Sequence, residues 1–475
     1  MNKKEKLPLW LKVLLIYVCI AGYCLVCFLV GGRDIYLKRV HTGDVNEIDN
    51  IGEIVDGDVV EQTLVSNASE ILSLELKVGT YDRVNDCDLD ISLLENDKVL
   101  ASKTVDCKNF TNGDNTITFD EPVNVDVNQP YTLRITSHGA KSGNAVTVYY
   151  GVSNPECTYL EAKNIELKER QLLCTVNGKV NEPLGMILTI GVIAFLLILG
   201  VYCIHLFVAE KKGKHTVGME IMDAYHQYSF LMHQLVSREF KVRYKRSALG
   251  ILWSFVNPLL TMIVQFFVFT LVFKSAIPNY IVYLIIGITF FNFYSEATNG
   301  GSLSIITNAS LIKKVYVPKY IYPLSQVFSA SINFGISLIL MFGVALVNGL
   351  MPNIYFLLIP FAMLSIFILN TGVALLLATG MTFFRDVQFI YNVFMTALTY
   401  ATPMFWDMSM IPDKYNWIFK INPLADIIIF VRNIVLNNMY PGTDLVVLMI
   451  VFPVFFLMIG IHVFRKNQDK FILYI

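Results

Sequence analysis

A chain of 475 residues that is 55% hydrophobic and only 16% charged, with a mean hydropathy of +0.54, is not an ordinary soluble globular protein, which carries about 25% charged residues. The formal net charge of −1 hides a segregation: residues 31–183 hold 26 acidic and 14 basic side chains, and the remainder holds 12 and 23. Two segments so different in charge are built for different environments, and neither has the composition of a nucleic-acid binder.

The first apolar run covers residues 13–32, has no charge inside residues 13–32 and follows Lys3, Lys4 and Lys6. It is long enough to stay in a bilayer, and so predicts a membrane anchor and not a cleaved signal peptide. Residues 33–183 change character. Ile71-Leu-Ser-Leu-Glu-Leu-Lys-Val78, Tyr131-Thr-Leu-Arg-Ile135 and Ala145-Val-Thr-Val-Tyr149 alternate apolar with polar residues, and turn residues such as Thr111-Asn-Gly-Asp-Asn115 separate them. That period predicts a soluble antiparallel β-sandwich. Four of the eight cysteines lie here: Cys87, Cys107, Cys157 and Cys174. In an oxidising exterior they are disulfide candidates with three alternative pairings, and their spacing is not that of a metal site. Cys19, Cys24, Cys27 and Cys203 sit in apolar runs as small hydrophobes.

From residue 184 the apolar runs return, at residues 184–208, 250–273 and 280–295; the 64 uncharged positions 321–384 fit two spans hinged at Asn348, Gly349, Pro352 and Asn353. Runs at 387–406 and 445–464 bring the count to eight. The expected fold is therefore a polytopic α-helical membrane protein with an inserted extracytoplasmic antiparallel β-sandwich. Its expected parts are residues 1–32, 33–183, 184–214 and a six-span domain at 215–475. Basic residues cluster in alternate connections, which predicts cytoplasmic termini and an external acidic domain in a plasma-membrane protein.

Within the six-span part, Ile221, Tyr225, Tyr228, Met232 and Leu235 form an apolar helix face that runs into Arg238, Lys241, Arg243, Lys245 and Arg246. Such a helix lies in the cytoplasmic interface, either as a surface anchor or as a docking site for a motor. Residues 308–320 form a short, partly basic cytoplasmic helix that starts at Asn308 and stops before Pro318. Residues 421–431 are apolar but too short to span, which predicts a re-entrant or interfacial segment near Pro403 and Pro423. Glu296 and Asp386 are placed near cytoplasmic span ends, so that ion-driven transport is disfavoured. Aromatic residues are dense, including Phe290, Tyr294, Phe394, Tyr400, Phe405 and Trp406. Each can stack on sugar rings or pack against lipid and neighbours. No GxxxxGK[ST], HExxH or GxSxG signature occurs, so no enzyme site, metal or cofactor is expected on this chain.

Arg238-Glu-Phe-Lys-Val-Arg-Tyr-Lys-Arg-Ser-Ala-Leu-Gly-Ile-Leu-Trp253 with Asn257-Pro258, then Leu311-Ile-Lys-Lys-Val-Tyr-Val-Pro318, Phe384-Arg-Asp-Val387, Thr402-Pro403 and Asn422-Pro423-Leu424, together resemble the permeases of polysaccharide ABC exporters for O-antigen, capsule and teichoic acid. The resemblance implies a homodimer that exports a lipid-linked glycan, with ATP and Mg on a partner ATPase dimer. It assigns coupling to Arg238, Lys241, Arg243, Tyr244, Lys245, Leu311, Ile312, Lys313, Lys314 and Tyr316. It assigns the substrate path to the six aromatic residues above and the outer gate to Pro403, Asn422 and Pro423. The added residues 1–214 lie outside the family pattern; the sandwich in them is expected to act either on glycan at the exit or as a spacer. A drug or lipid permease, or a membrane sensor, is the alternative reading of the whole.

Overall fold

The computed structural model describes the chain apart from residues 1–8, 43–46, 66–67, 97, 128, 153–156, 164, 168–169, 213–215, 245–246, 273–276, 316, 407 and 409–418. It divides into two compact units, residues 36–186 and residues 1–35 with 187–475.

The first unit contains β1 (Leu37–Thr42), β2 (Glu47–Asn50), β3 (Val59–Val65), β4 (Glu70–Gly79), β5 (Asp88–Glu95), β6 (Lys98–Asp106), β7 (Gly113–Asn124), β8 (Pro130–His138), β9 (Thr147–Val152), β10 (Cys157–Ala162), β11 (Ile165–Glu166), β12 (Arg170–Leu172) and β13 (Cys174–Asn181). One sheet runs β1-β13-β4-β9-β12, with β7 also on β4 and β2 also on β9; the other runs β11-β10-β3-β8-β5-β6. The alternation read in the sequence is the cause. In β8 it buries Tyr131, Leu133, Ile135 and Ser137 while their neighbours stay partly open. Leu74, Leu76, Val148 and Val176 of one sheet share a core with Val60, Ile91, Leu133 and Ile135 of the other, which makes a sandwich. The turn at 111–115 closes on itself: Thr111 N donates to Asn115 Oδ1 at 2.9 Å, and Asn115 Nδ2 donates back to Thr111 O at 2.8 Å. Gly113 there takes a φ of 128° that a side chain would resist.

The second unit is helical: α1 (Leu9–Gly31), α2 (Pro183–Lys211), α3 (Val217–Tyr244), α4 (Trp253–Phe267), α5 (Tyr280–Thr307), α6 (Ala309–Ile312), α7 (Ile321–Val347), α8 (Ile359–Phe383), α9 (Val387–Ala401), α10 (Pro423–Val435) and α11 (Thr443–Asn467). Among the described residues seven helical segments are long and apolar enough to cross a bilayer. The run expected as a further span at 387–406 is helical only over the 15 residues of α9, about 22 Å at 1.5 Å per residue against a hydrocarbon core of about 30 Å. Pro403 is the reason, because it drives Thr402 into extended backbone (φ −97°, ψ 131°) and ends the helix.

Close packing in the bundle depends on small residues. A Cβ on Gly372 of α8 would lie 2.5 Å from the backbone of Phe456 and Leu457 in α11, and one on Gly460 would lie 2.4 Å from Gly372 O. On the other side of α8, Ala374 sits where a Cβ on Gly301 of α5 would fall, 2.5 Å away. By contrast α1 and α2 have little protein around them and lean on each other. Trp10 N donates to Glu210 Oε2 at 3.0 Å, and the Trp10 ring meets Phe207 edge-on at 5.4 Å. The far end of α1 is tied to the bundle where Tyr23 donates to Leu357 O at 3.2 Å, Tyr355 donates to Asp34 Oδ2 at 3.3 Å and Thr443 donates to Ile35 O.

Candidate functional site

α5 sets the frame. Its 28 residues rise about 42 Å, and the two ends and the middle each carry a distinct polar arrangement.

At the Thr307 end, α3 and α6 meet. Arg238 Nη2 donates to Asn308 Oδ1 at 2.8 Å and pairs with Glu239 at 2.7 Å. Beneath this contact Leu235 joins Ile305, Ile312, Ile321, Tyr322, Phe464 and Phe471 in one apolar cluster, with Leu311 packed against it. Lys319 Nζ donates to Gln468 O at 2.6 Å and so draws in the end of the chain. The expected coupling residues therefore divide. Leu311 and Ile312 hold α6 against the bundle, whereas Lys313 and Lys314 are exposed beside Val315. Lys241 is exposed on α3, next to an open groove of about 720 Å³ that Gln234, Phe240 and Ile251 help to line. Arg243 and Tyr244 close α3 with side chains outside the described set, and Lys245 and Tyr316 lie outside the described residues.

At the Tyr280 end, the chain after α9 is held by hydrogen bonds to its carbonyls. Tyr280 donates to Phe405 O at 2.8 Å and Tyr283 to Trp406 O at 2.6 Å. Arg432 of α10, only 5% exposed, donates to Pro403 O, to Tyr283 O at 3.0 Å and to Met404 O at 3.3 Å, and its guanidinium lies 3.3 Å from the Tyr283 ring centroid. Asn422 caps α10 by accepting from Leu424 N and Ala425 N, and its Nδ2 reaches Thr402 Oγ1 at 2.9 Å. Pro403, Asn422 and Pro423 are thus brought to one place. Arg432 was given no role from the sequence; the signal was the single charged side chain in the otherwise largely apolar residues 427–435.

The middle of the bundle corrects the reading of Glu296. Expected at a span end, it sits inside α5, 11 residues before Thr307, where Asn333 Nδ2 of α7 donates to Glu296 Oε1 at 2.8 Å. The helix continues through the charge because a polar neighbour and a cavity of about 550 Å³ receive it. Asn292, Ser295, Glu296 and Asn299 follow one another at i, i+3, i+4 and i+7, a spacing that places them on one face. They line this cavity with Ser254 and Asn257 of α4 and with Asn333 and Ser337 of α7.

The six aromatic residues expected along a path do not share a surface. Phe290 is fully buried edge-on to Phe334, and Tyr294 is buried beside Tyr391. Both are packed in the helical core, Phe290 against Phe334 of α7 and Tyr294 against Tyr391 of α9. Phe405 stacks on Phe269 at 5.0 Å, and Trp406 donates to Tyr400 O at 3.2 Å. Phe394 and Tyr400 are exposed on α9 beside Phe389, Ile390 and Val393. In the β unit, Cys87 and Cys107 are buried neighbours just beyond the Asp88–Asp106 end of the β5–β6 ladder, with Cys107 N donating to Cys87 O at 2.9 Å. Burial, with the adjacent Cys87 thiol, pushes the Cys107 thiol above its ordinary value. Cys174 is buried at the start of β13 in the other sheet, and the Cys157 side chain lies outside the described set.

Fold and site together define a polytopic membrane protein of bundled helices with an inserted β domain. Residues 231–436 match the family model described as ABC-2 type transporter. An O-antigen export system permease protein RfbA from Klebsiella pneumoniae is 30% identical over 242 residues, which are 51% of this chain and 93% of that protein. A second from the same organism is 31% identical over the same lengths. A protein of that name from Myxococcus xanthus is 29% identical over 248 residues, 52% of this chain and 95% of its own. The chain belongs to the permease family of polysaccharide-exporting ABC transporters.

Proposed function

We propose that this chain is the membrane-spanning subunit of an exporter that carries a lipid-linked polysaccharide, of the O-antigen, capsule or teichoic-acid kind, from the cytoplasm to the cell surface. The observation that carries this reading is the extent of the match: nearly the whole length of an O-antigen export permease is covered, at 93%. ATP and Mg act on a partner ATPase dimer, and the basic Thr307 end of the bundle faces it in the cytoplasm, as the distribution of Lys and Arg favours. There the Arg238–Asn308 contact and the apolar cluster under α6 make α3 and α6 one stiff unit, able to pass a push on exposed Lys313 and Lys314 into α5, α7 and α11. The Arg432 end lies outside, with residues 36–186 in the external medium. Two copies form the transporter, and the exposed apolar face of α9, with Phe394 and Tyr400, is the surface offered to the second copy and to the substrate.

Depletion of the chain tests the assignment. The expected result is loss of surface polysaccharide with accumulation of its lipid-linked precursor in the inner leaflet. Unchanged surface polysaccharide overturns it. Reversing Lys313 and Lys314 to Glu is expected to lower both export and recovery of the ATPase with the purified permease.

A further inference from the structure

The polar face inside the bundle is costly and needs a reason. Amide and carboxyl groups at membrane depth lose several kcal/mol each when they lack hydrogen-bonding partners, and residues of this kind within spans mark function by default. Helix-to-helix adhesion accounts for part of the set: Asn333 donates to Glu296, and Ser254 donates to Asn333 Oδ1 at 3.4 Å. It does not account for Asn257 and Asn292. Both are exposed, both line the same cavity, and neither side chain makes a hydrogen bond among the described residues.

We infer that this cavity is a binding site for the uncharged, hydroxyl-rich part of the transported molecule, a run of neutral sugar residues, and not for its lipid or its diphosphate. The inference rests on the export reading above and names where inside the permease the glycan is held. Three features select that chemistry. The lining alternates acceptors with amides, which both donate and accept, as vicinal hydroxyls require. Among the described residues the lining holds no Lys or Arg, so a diphosphate would meet the Glu296 carboxyl oxygens with no opposing cation from them. Trp253, 44% exposed, adds an indole face to the lining for the C–H side of a sugar ring. The volume, about 550 Å³, falls in the range of roughly 300–1,000 Å³ usual for small-ligand sites.

A photoreactive benzophenone amino acid placed at position 292 of the full-length chain, with a control at the exposed apolar position 339 on the far part of α7, tests this in cells. Illumination is expected to attach glycan-stainable material at 292 and not at 339. Adducts of two permease chains alone at 292, or equal glycan labelling at both positions, overturn the site. In parallel, Asn292→Leu and Asn257→Leu are expected to cut surface glycan about tenfold, as the loss of one or two hydrogen bonds to substrate predicts, with the permease still present in the membrane. Wild-type export by both variants also overturns the site. Failure of the export reading shows separately, as unchanged surface glycan when the whole chain is depleted.

Discussion

α1 and α2 are the most apolar helices of the molecule, and almost nothing covers them. Among the described residues α5 is the least apolar of the seven segments able to cross a bilayer, and most of it is buried. The inversion follows from the solvent. A helix surrounded by lipid must be apolar on every side, because no partner exists there for a polar group. A helix enclosed by other helices gains little from further apolar surface and instead needs small residues for approach and polar residues for contacts. In this protein Gly301, Thr298 and Glu296 on α5 meet Ala374, Tyr391 and Asn333, while α1 and α2 present Leu29 and Leu197 to the surroundings, 73% and 65% exposed. Hydropathy thus locates the membrane and points away from the working interior.

The comparison is open to direct attack. The largest effect is expected for Gly372→Leu, whose side chain must enter the backbone of α11; overpacking of this kind costs about 1–3 kcal/mol or more, and the detergent-solubilised protein should fail to give a monodisperse peak in size-exclusion chromatography. A normal peak would show that the α8–α11 crossing is looser than described. Next is Arg432→Met, which keeps length but takes the guanidinium donor from the carbonyls of Pro403, Tyr283 and Met404; Pro403 O keeps the Tyr283 hydroxyl as a donor, whereas Met404 O is left with none among the described residues. A loss of about 1–3 kcal/mol is expected, the cost of one buried acceptor left unsatisfied, read as a lower unfolding temperature. Oxidised glutathione, accepting the two electrons, should link Cys87 to Cys107 in the purified protein. Mass mapping of the joined peptides checks this, and a typical disulfide raises stability by about 2–4 kcal/mol in theory and often less in practice. The smallest effects are expected on the lipid-facing helices, where Leu29→Val and Leu197→Val should change stability by about 0.5 kcal/mol or less. A loss comparable to that of Arg432→Met at either position would break the contrast.

The legibility of the fold tracks the same physics. The sandwich was readable because its strands have one wet and one dry face, so that Tyr131, Leu133 and Ile135 announce their side at every second residue. The spans were readable by length, except where a local rule overrode composition, as Pro403 did in shortening α9. The motif at Arg238 and the segment after Asn308 were visible, but not the hydrogen bond that joins them across 70 residues. Which aromatic residues turn inward was not readable, because Phe290 and Phe394 have equally apolar neighbours and only the three-dimensional packing buries one and exposes the other. Glu296 was read as an edge residue and Arg432 was passed over for the same reason, since a charge in an apolar run marks a boundary unless something inside the protein receives it.

The pairing of β1 with β13 has an architectural consequence. Leu37 stands opposite Asn181 in register, so the chain enters and leaves the sandwich at neighbouring positions, about 5 Å apart as in any antiparallel pair. Some 150 residues therefore occupy the sequence as a detachable cassette. A tight turn of a few residues between α1 and α2 would replace it without asking either helix to move, which is the geometry by which a soluble module is gained or exchanged without disturbing a membrane machine.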